Sequence, residues 1–407
     1  MTMKPKLREI EAHAIQHQGQ EMVLLRDPLN LSEASIAIPR PLAPLLGLMD
    51  GTRNSAELEA AVQVRAGVRL APDLLPSLLA AMDEALLLDN ERFAAAKAAA
   101  VRVFRDAPFR ALTTIDGSAA NGDPGKMAAY LQSFLDALDA SVSRQASAGI
   151  RGVVSPHIDY QRGGPVYAEV WSAATQATRE AELVILLGTD HQGGDGKLTL
   201  TRQSYATPWG TLPTEATIVD ELAAALGPET AFEEELHHRN EHSIELAAIW
   251  LHFIRAAAPV PVVPILCGSF AGFVAGVGDP ASHAPFAAAV EVLQGLLEAR
   301  RTLVVAAADL AHMGPAFGDP YGLDFIGRAQ LRSADERLLA AVHAGNAQAF
   351  FDSLKAEGDR RHVCGLPPIY LMLRVLGKTQ GEPAGYALCP ADPQGTSFVS
   401  IAGAILT

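Results

Sequence analysis

The feature that most restricts how this chain can fold is a set of four short, almost uninterrupted apolar runs. They are GVVSPHIDY from Gly152, ELVILLGTDH from Glu182, VPVVPILCG from Val260 and TLVVAAADLAHMG from Thr302. A half-exposed strand alternates apolar and polar residues, whereas a strand covered on both faces reads as a continuous apolar run. Helical patterns follow them, starting near Gly164, Glu215, Glu241 and Ala284, with more near 333 to 357 and over 366 to 376. Runs that alternate with helices predict a three-layer α/β/α domain, with helices on both faces of a sheet.

A chain of 407 residues suits one large domain and one smaller one. The pattern changes near residue 105, which predicts a division into 1–105 and 106–407. Upstream, PRPLAPLLGLMDGTRNSAELEAAV and PDLLPSLLAAMDEALLLDNERF read as two apolar helical patterns, the first containing an Asp50-Gly51-Thr52-Arg53 turn. In the second, Leu74, Leu78, Met82 and Leu86 recur at intervals of four. An alanine-rich stretch from Arg92 to Arg105 predicts a connecting helix, and GSAANGDPGKMAAYLQSFLDALDASV a loop and helix. Residues 1–105 therefore read as a small helical module with its linker.

The formal net charge of -14 opposes binding to a polyphosphate backbone, so nucleic acid is excluded as a partner. The most apolar long window, VPVVPILCGSFAGFVAGVG, is broken by Pro261, Pro264 and four glycines, which excludes a membrane span. The opening MTMKPKLREIEAHAIQ has no apolar segment after its basic start, which predicts a cytoplasmic protein. Three cysteines without close pairing predict a reducing compartment, in which a functional cysteine acts as a thiolate.

Three of the four runs end in a polar cluster that contains histidine: Pro156-His157-Ile158-Asp159, Gly188-Thr189-Asp190-His191 and Asp309-Leu310-Ala311-His312. A lone histidine of this kind is usually a satisfied core residue. Three at equivalent strand ends point to a shared site, because α/β proteins place their sites at the carboxyl ends of sheet strands. Neutral imidazole binds zinc, copper, iron and nickel, and Asp159, Asp190 and Asp309 could coordinate or accept the second ring proton. Cys364 precedes the apolar helix LPPIYLML, whose dipole favours a thiolate able to ligate metal or act as a nucleophile. The alternative is a buried cysteine that serves only as a small hydrophobe. Cys267 and Cys389 lack polar neighbours and read as packing residues.

Asn240-Glu241-His242-Ser243-Ile244-Glu245 opens a helix, with Asn240 as candidate cap and Ile244, Ala248 and Leu251 as its buried stripe. His242 and Glu245, one turn apart, form either an acid/base pair at a pocket rim or a solvated first turn. The turn-rich segment Tyr205 to Pro213 is a candidate pocket wall. His13, His17, His237, His238, His252, His283 and His343 read as surface or packing residues.

Together and in this order, these segments resemble the Memo family, including the bacterial members called AmmeMemoRadiSam system protein B, over most of residues 110 to 407. The family's PHAGY-like motif is met by Pro156-His157-Ile158-Asp159-Tyr160, its GPSH by Gly188-Thr189-Asp190-His191, and its TPLG-type loop by Thr207-Pro208-Trp209-Gly210. EHS(I/L)E is intact from Glu241 to Glu245, SSDFxHWG is met by Ala307 to Gly314, and CGxxPI by Cys364 to Ile369. The resemblance implies a fold related to class III extradiol ring-cleaving dioxygenases and a divalent metal held by His157, His191 and Cys364. Iron(II) is the expected metal, with copper and zinc as alternatives. It also implies that Asp309, His312 and His242 surround the metal as catalytic residues, with His312 as acid/base. Asp159, Asp190 and Met313 depart from the family motifs, and the two added carboxylates imply a more anionic pocket.

The unit containing Asp50 to Arg53 resembles the winged-helix-like module of PqqD-like proteins, a kind of module that binds DNA, a peptide or another domain; its acidic, alanine-rich surroundings favour a protein-contact or packing role over DNA reading. Three functions follow as alternatives. The first is a non-haem iron-dependent oxidoreductase acting on a small molecule. The second is a metal-sequestering or peptide-binding adaptor, and the third a cysteine hydrolase.

Overall fold

The computed structural model describes residues 4–113, 122–138 and 149–407. The chain divides into two compact units, Met1–Asp106 and Ala107–Thr407.

The first unit begins with an antiparallel meander of β1 (Glu11–His17), β2 (Gln20–Arg26) and β3 (Ile36–Pro39). The β1–β2 register leaves a two-residue loop, Gln18-Gly19, with φ of 50° and 77°. Positive φ at both positions is what a tight hairpin twisted like its strands requires. Helices α1 (Ser55–Ala66), α2 (Leu74–Glu84) and α3 (Glu91–Asp106) follow. Asn54 and Glu57 form a reciprocal capping box at the start of α1, just after the Asp50 turn, in which Asp50 accepts the Thr52 N–H at 2.9 Å. The helical reading captures α1 to α3 but omits the sheet, since β1 has no fully buried residue and so shows little apolar signal. The buried face of α2 is Leu75, Leu79 and Met82, while Leu74 is 42% exposed and Leu86 lies beyond the helix end.

In the second unit α4 (Pro124–Asp136) is capped by Asp123. Of its predicted surroundings, residues 117–121 and 139–142 lie outside the described residues. The body follows as β4 (Gly152–Ser155), α5 (Tyr160–Ala173), α6 (Thr175–Glu180), β5 (Leu183–Thr189), β6 (Leu198–Leu200), β7 (Tyr205–Thr207), β8 (Gly210–Leu212), α7 (Ala216–Leu226) and α8 (Pro228–Phe232). It continues through α9 (Ser243–Ile254), β9 (Val262–Cys267), α10 (Ala271–Val274), α11 (Ala284–Ala299), β10 (Thr302–Ala307) and β11 (His312–Met313). The last elements are α12 (Phe325–His343), α13 (Ala347–Ala356), α14 (Leu366–Leu376), β12 (Gly381–Pro390) and β13 (Phe398–Leu406).

The four apolar runs are the central parallel strands, in the order β4-β10-β5-β9. Antiparallel β13 adds beside β4 and antiparallel β6 beside β9, while β11 and β12 pair with β13. Successive residues serve opposite faces. Ile185, Leu187, Val304 and Ala306 pack in one core with Ile218, Phe286 and Ile369 from α7, α11 and α14. Val184, Leu186, Leu303 and Val305 pack in the other with Tyr167 and Trp171 of α5 and Ile244 to Leu251 of α9. This is a mixed sheet between two helical layers. No helix among the described residues is long and apolar enough to cross a membrane.

Candidate metal centre

Strand register assembles the site. Ala307 lies opposite both Ser155 and Gly188, so the carboxyl ends of β4, β10 and β5 coincide. The residues just past those ends, His157, Asp309 and His191, therefore emerge at one edge. The ring centroids of His157 and His191 are 5.2 Å apart, and His242 lies 5.5 Å from the first and 5.0 Å from the second. One donor atom from each of these three residues lies within 4.8 Å of the others. Cys364 is not in that mutual set but lies beside it, its Sγ 3.3 Å from His157 Nε2.

Two glycines permit this convergence. A Cβ on Gly365 would lie 2.4 Å from the Asp309 carbonyl oxygen, so only glycine lets the start of α14 carry Cys364 against the β10 end. A Cβ on Gly188 would stand 2.5 Å from Ile244, so glycine also allows the start of α9, with His242, to approach β5.

Hydrogen bonds outside the group set which ring nitrogen faces inward. His157 Nδ1–H donates to the Ala307 carbonyl at 3.0 Å, which leaves Nε2 toward Cys364. His191 Nδ1–H donates to Glu241 Oε2 at 2.9 Å, and Glu241 Oε1 lies 3.3 Å from His242 Nδ1. Asp309 accepts the backbone N–H of His157 at 2.8 Å, and its Oδ2 is 3.8 Å from His157 Nε2. His312 sits in the same cavity, its Nδ1–H directed at the Leu310 and His362 carbonyls, each at 3.2 Å. That cavity, about 550 Å³, also contains Arg162, Leu246 and Phe317.

The electrostatics couple these groups. Burial disfavours a charged His157, but Asp309 and Cys364 outweigh it and raise its pKa to about 9. Burial pushes the Cys364 thiol up, yet His157, with help from His191 and His312, brings it down to about 5. Burial is likewise outweighed at His191, which Glu241 and Cys364 raise well above the usual imidazole value. Burial and the neighbouring histidines lower His242 to about 4. Without metal, these interactions favour a Cys364 thiolate facing the His157 imidazolium, and a neutral His242.

The sequence reading needs correction at several positions. Glu245 is no partner of His242: fully buried, it pairs with Arg110, which also donates to the His238 and Glu241 carbonyls. The N-terminus of α9 is served not by Asn240 but by Glu241, whose Oε1 accepts the Ser243 N–H at 2.9 Å. Asp159 and Asp190 are already bonded to other partners. Asp159 caps α5 and binds Arg162 at 2.6 Å, and Asp190 takes His237 at 2.9 Å. Residues 205 to 213 form the β7–β8 hairpin against α9, with Trp209 stacked on Phe253, and line neither cavity beside the centre.

Glu241, Arg110 and His237 were missed as functional candidates. A glutamate at a helix start is ordinary, and its link to His191 spans 50 residues of sequence. Asp190, Glu234 and His237 form a second group with donor atoms within 4.8 Å. There Lys197 already neutralises Glu234 at 2.8 Å. His238 and His252 are packing residues as read, bonded to Tyr205 and Thr207. Cys267 and Cys389 are buried, and burial pushes both thiols up, Cys389 to about 11.

A mixed α/β sheet whose strand ends gather three histidines and a cysteine defines an α/β protein with a candidate metal centre. The profile of the Memo-like protein family matches residues 112–404, and the chain belongs to that family. Its relatives include a MEMO1 family protein of Aquifex aeolicus, 27% identical over 99% of this chain and 100% of that one. A MEMO1 family protein of Thermus thermophilus is 27% identical over 84% of this chain and 95% of that one. The memo-1 homolog of Caenorhabditis elegans is 27% identical over 55% and 60% of the two chains. The Aquifex similarity thus extends through the first unit as well as the second.

Proposed function

We propose that the centre binds a divalent transition metal, iron(II) by preference, through His157, His191 and Cys364, and that the protein is a non-haem iron-dependent oxidoreductase acting on a small molecule. The observation that carries this reading is the donor set itself. Imidazole nitrogens and a thiolate suit iron, copper or zinc, and the nitrogens turned toward Cys364 are those left over once Ala307 and Glu241 take the other ring protons. A bound ion would supply a Lewis-acidic, redox-active centre with positions open to dioxygen and substrate.

The surrounding residues then have defined tasks. Asp309 positions His157 through its backbone N–H, and Glu241 orients His191. His312, with Nδ1–H held by two carbonyls, offers Nε2 to take a proton from a molecule in the 550 Å³ cavity. Leu246 and Phe317 give the cavity an apolar wall beside it. Kinship with the extradiol dioxygenases belongs to this proposal, as does a protein-contact role for the first unit, which carries none of the proposed ligands.

The test is metal analysis of anaerobically purified protein, followed by dioxygen consumption. Wild type should carry iron, Cys364→Ser should lose most of it, and Cys267→Ser should retain it. Iron-loaded protein that consumes no dioxygen with any catechol-like or related substrate would support the metal-sequestering or peptide-binding role instead. Thiol-dependent hydrolysis that persists after chelation would make Cys364 the nucleophile of a hydrolase with His157 as its base.

A further inference from the structure

Cys364 does not line the cavity that holds His312. It lines a separate one, of about 530 Å³, and His191 borders both. The candidate centre thus borders two cavities, and the proposed function uses only one of them.

The second chamber differs in chemistry. Phe270, Val274, Val363 and Leu366 form its walls, and among the described residues no lysine or arginine lines it. His191 at its edge is already paired with Glu241 at 2.9 Å, so an anion placed there would meet no unpaired cation to replace its lost hydration. Its two carboxylates are already engaged. Asp190 is paired with His237 at 2.9 Å, and Asp359, whose pKa burial raises to about 6, accepts the Val363 N–H at 3.0 Å. A volume of this size, with apolar walls and several polar groups among them, is usual for a small-molecule site.

We infer that this chamber is a second ligand site for an uncharged aromatic or alicyclic small molecule, which lies among Phe270, Val274 and Leu366 with one edge against Cys364 and His191. Its apolar body accounts for the wall residues, and its lack of charge for the absence of an unpaired cation. The inference does not depend on bound metal, so it can be tested on chelator-treated, full-length protein and fail independently of the proposed function.

The probe is indole, followed by calorimetry and by the rate at which iodoacetamide alkylates Cys364, read by peptide mapping. Indole should bind saturably and slow alkylation of Cys364 several-fold, whereas benzoate, of similar size but charged, should do neither. Val274→Trp fills the chamber from a half-buried position and should abolish indole binding while the protein still melts cooperatively. Ala271→Trp, on an exposed lining position, replaces it if it does not. Phe317→Trp, in the other cavity, should leave indole binding unchanged. Failure of indole to saturate, equal binding by the Val274→Trp protein, or loss of binding in Phe317→Trp alone would each overturn the assignment.

Discussion

Replacing Glu241 by glutamine tests how far the centre depends on a residue that would touch no metal. Both carboxylate oxygens are occupied as acceptors. Oε2 takes the backbone N–H and ring Nδ1–H of His191 at 3.2 and 2.9 Å, and Oε1 takes the Ser243 N–H at 2.9 Å. Glutamine has the same shape but only one acceptor oxygen. If that oxygen stays with His191, the amide NH₂ confronts the Ser243 N–H; if it turns to Ser243, the NH₂ faces His191 Nδ1 and favours the tautomer whose inward nitrogen carries the proton. Either way the ring loses its anionic partner. Outer partners of this kind are typically worth 10- to 100-fold in metal affinity, about 1.4 to 2.7 kcal/mol. Competition against a chromophoric chelator, with thermal melting as the control for folding, measures it. An affinity within a factor of two of wild type, in a protein that melts normally, would refute the argument that Glu241 fixes the His191 donor.

Two further predictions concern protons and buried charge. With His157 raised to about 9 and Cys364 lowered to about 5, the metal-free site at pH 7 holds protons on His157 and on the strongly raised His191, but none on the thiol. Metal must displace the imidazole protons, so affinity should rise with pH toward 9 and fall further below 5 as the thiolate is protonated; calorimetry in buffers of different ionisation enthalpy should report roughly two protons released, and release of none would refute it. Arg110→Met leaves Glu245 buried without its counter-charge and frees the carbonyls of His238 and Glu241, so it should cost about 3 to 5 kcal/mol in denaturant unfolding. A loss under 1 kcal/mol would mean that the pair is solvated in solution.

The parallel core was legible because β4, β5, β9 and β10 are covered on both faces, so burial alone wrote continuous apolar runs into the sequence. The β12–β13 hairpin was not. GEPAGYALCP carries glycine and two prolines, and its strand state comes from long-range pairing with β13, including a register irregularity between Pro383 and Tyr386. The first-unit hairpin turns on Gln18-Gly19 rather than a strong Asn-Gly signal. At the site, His157, His191 and Cys364 stood out because each breaks an apolar context at an element end. Glu241 and Arg110 act through carbonyls and ring protons supplied by distant segments, and such partners leave no local pattern. Glu245 shows the converse: its helical spacing from His242 suggested a pair, but its carboxylate turns to Arg110 in the core.

The most direct test of the central claim is X-ray absorption at the metal edge on anaerobically purified, full-length protein. A centre built on His157, His191 and Cys364 predicts one sulfur scatterer at roughly 2.3 Å together with imidazole nitrogens near 2.1 Å, the sulfur being lost in Cys364→Ser. A shell of nitrogen and oxygen alone in the wild-type protein would contradict it and move the anionic ligand to Asp309.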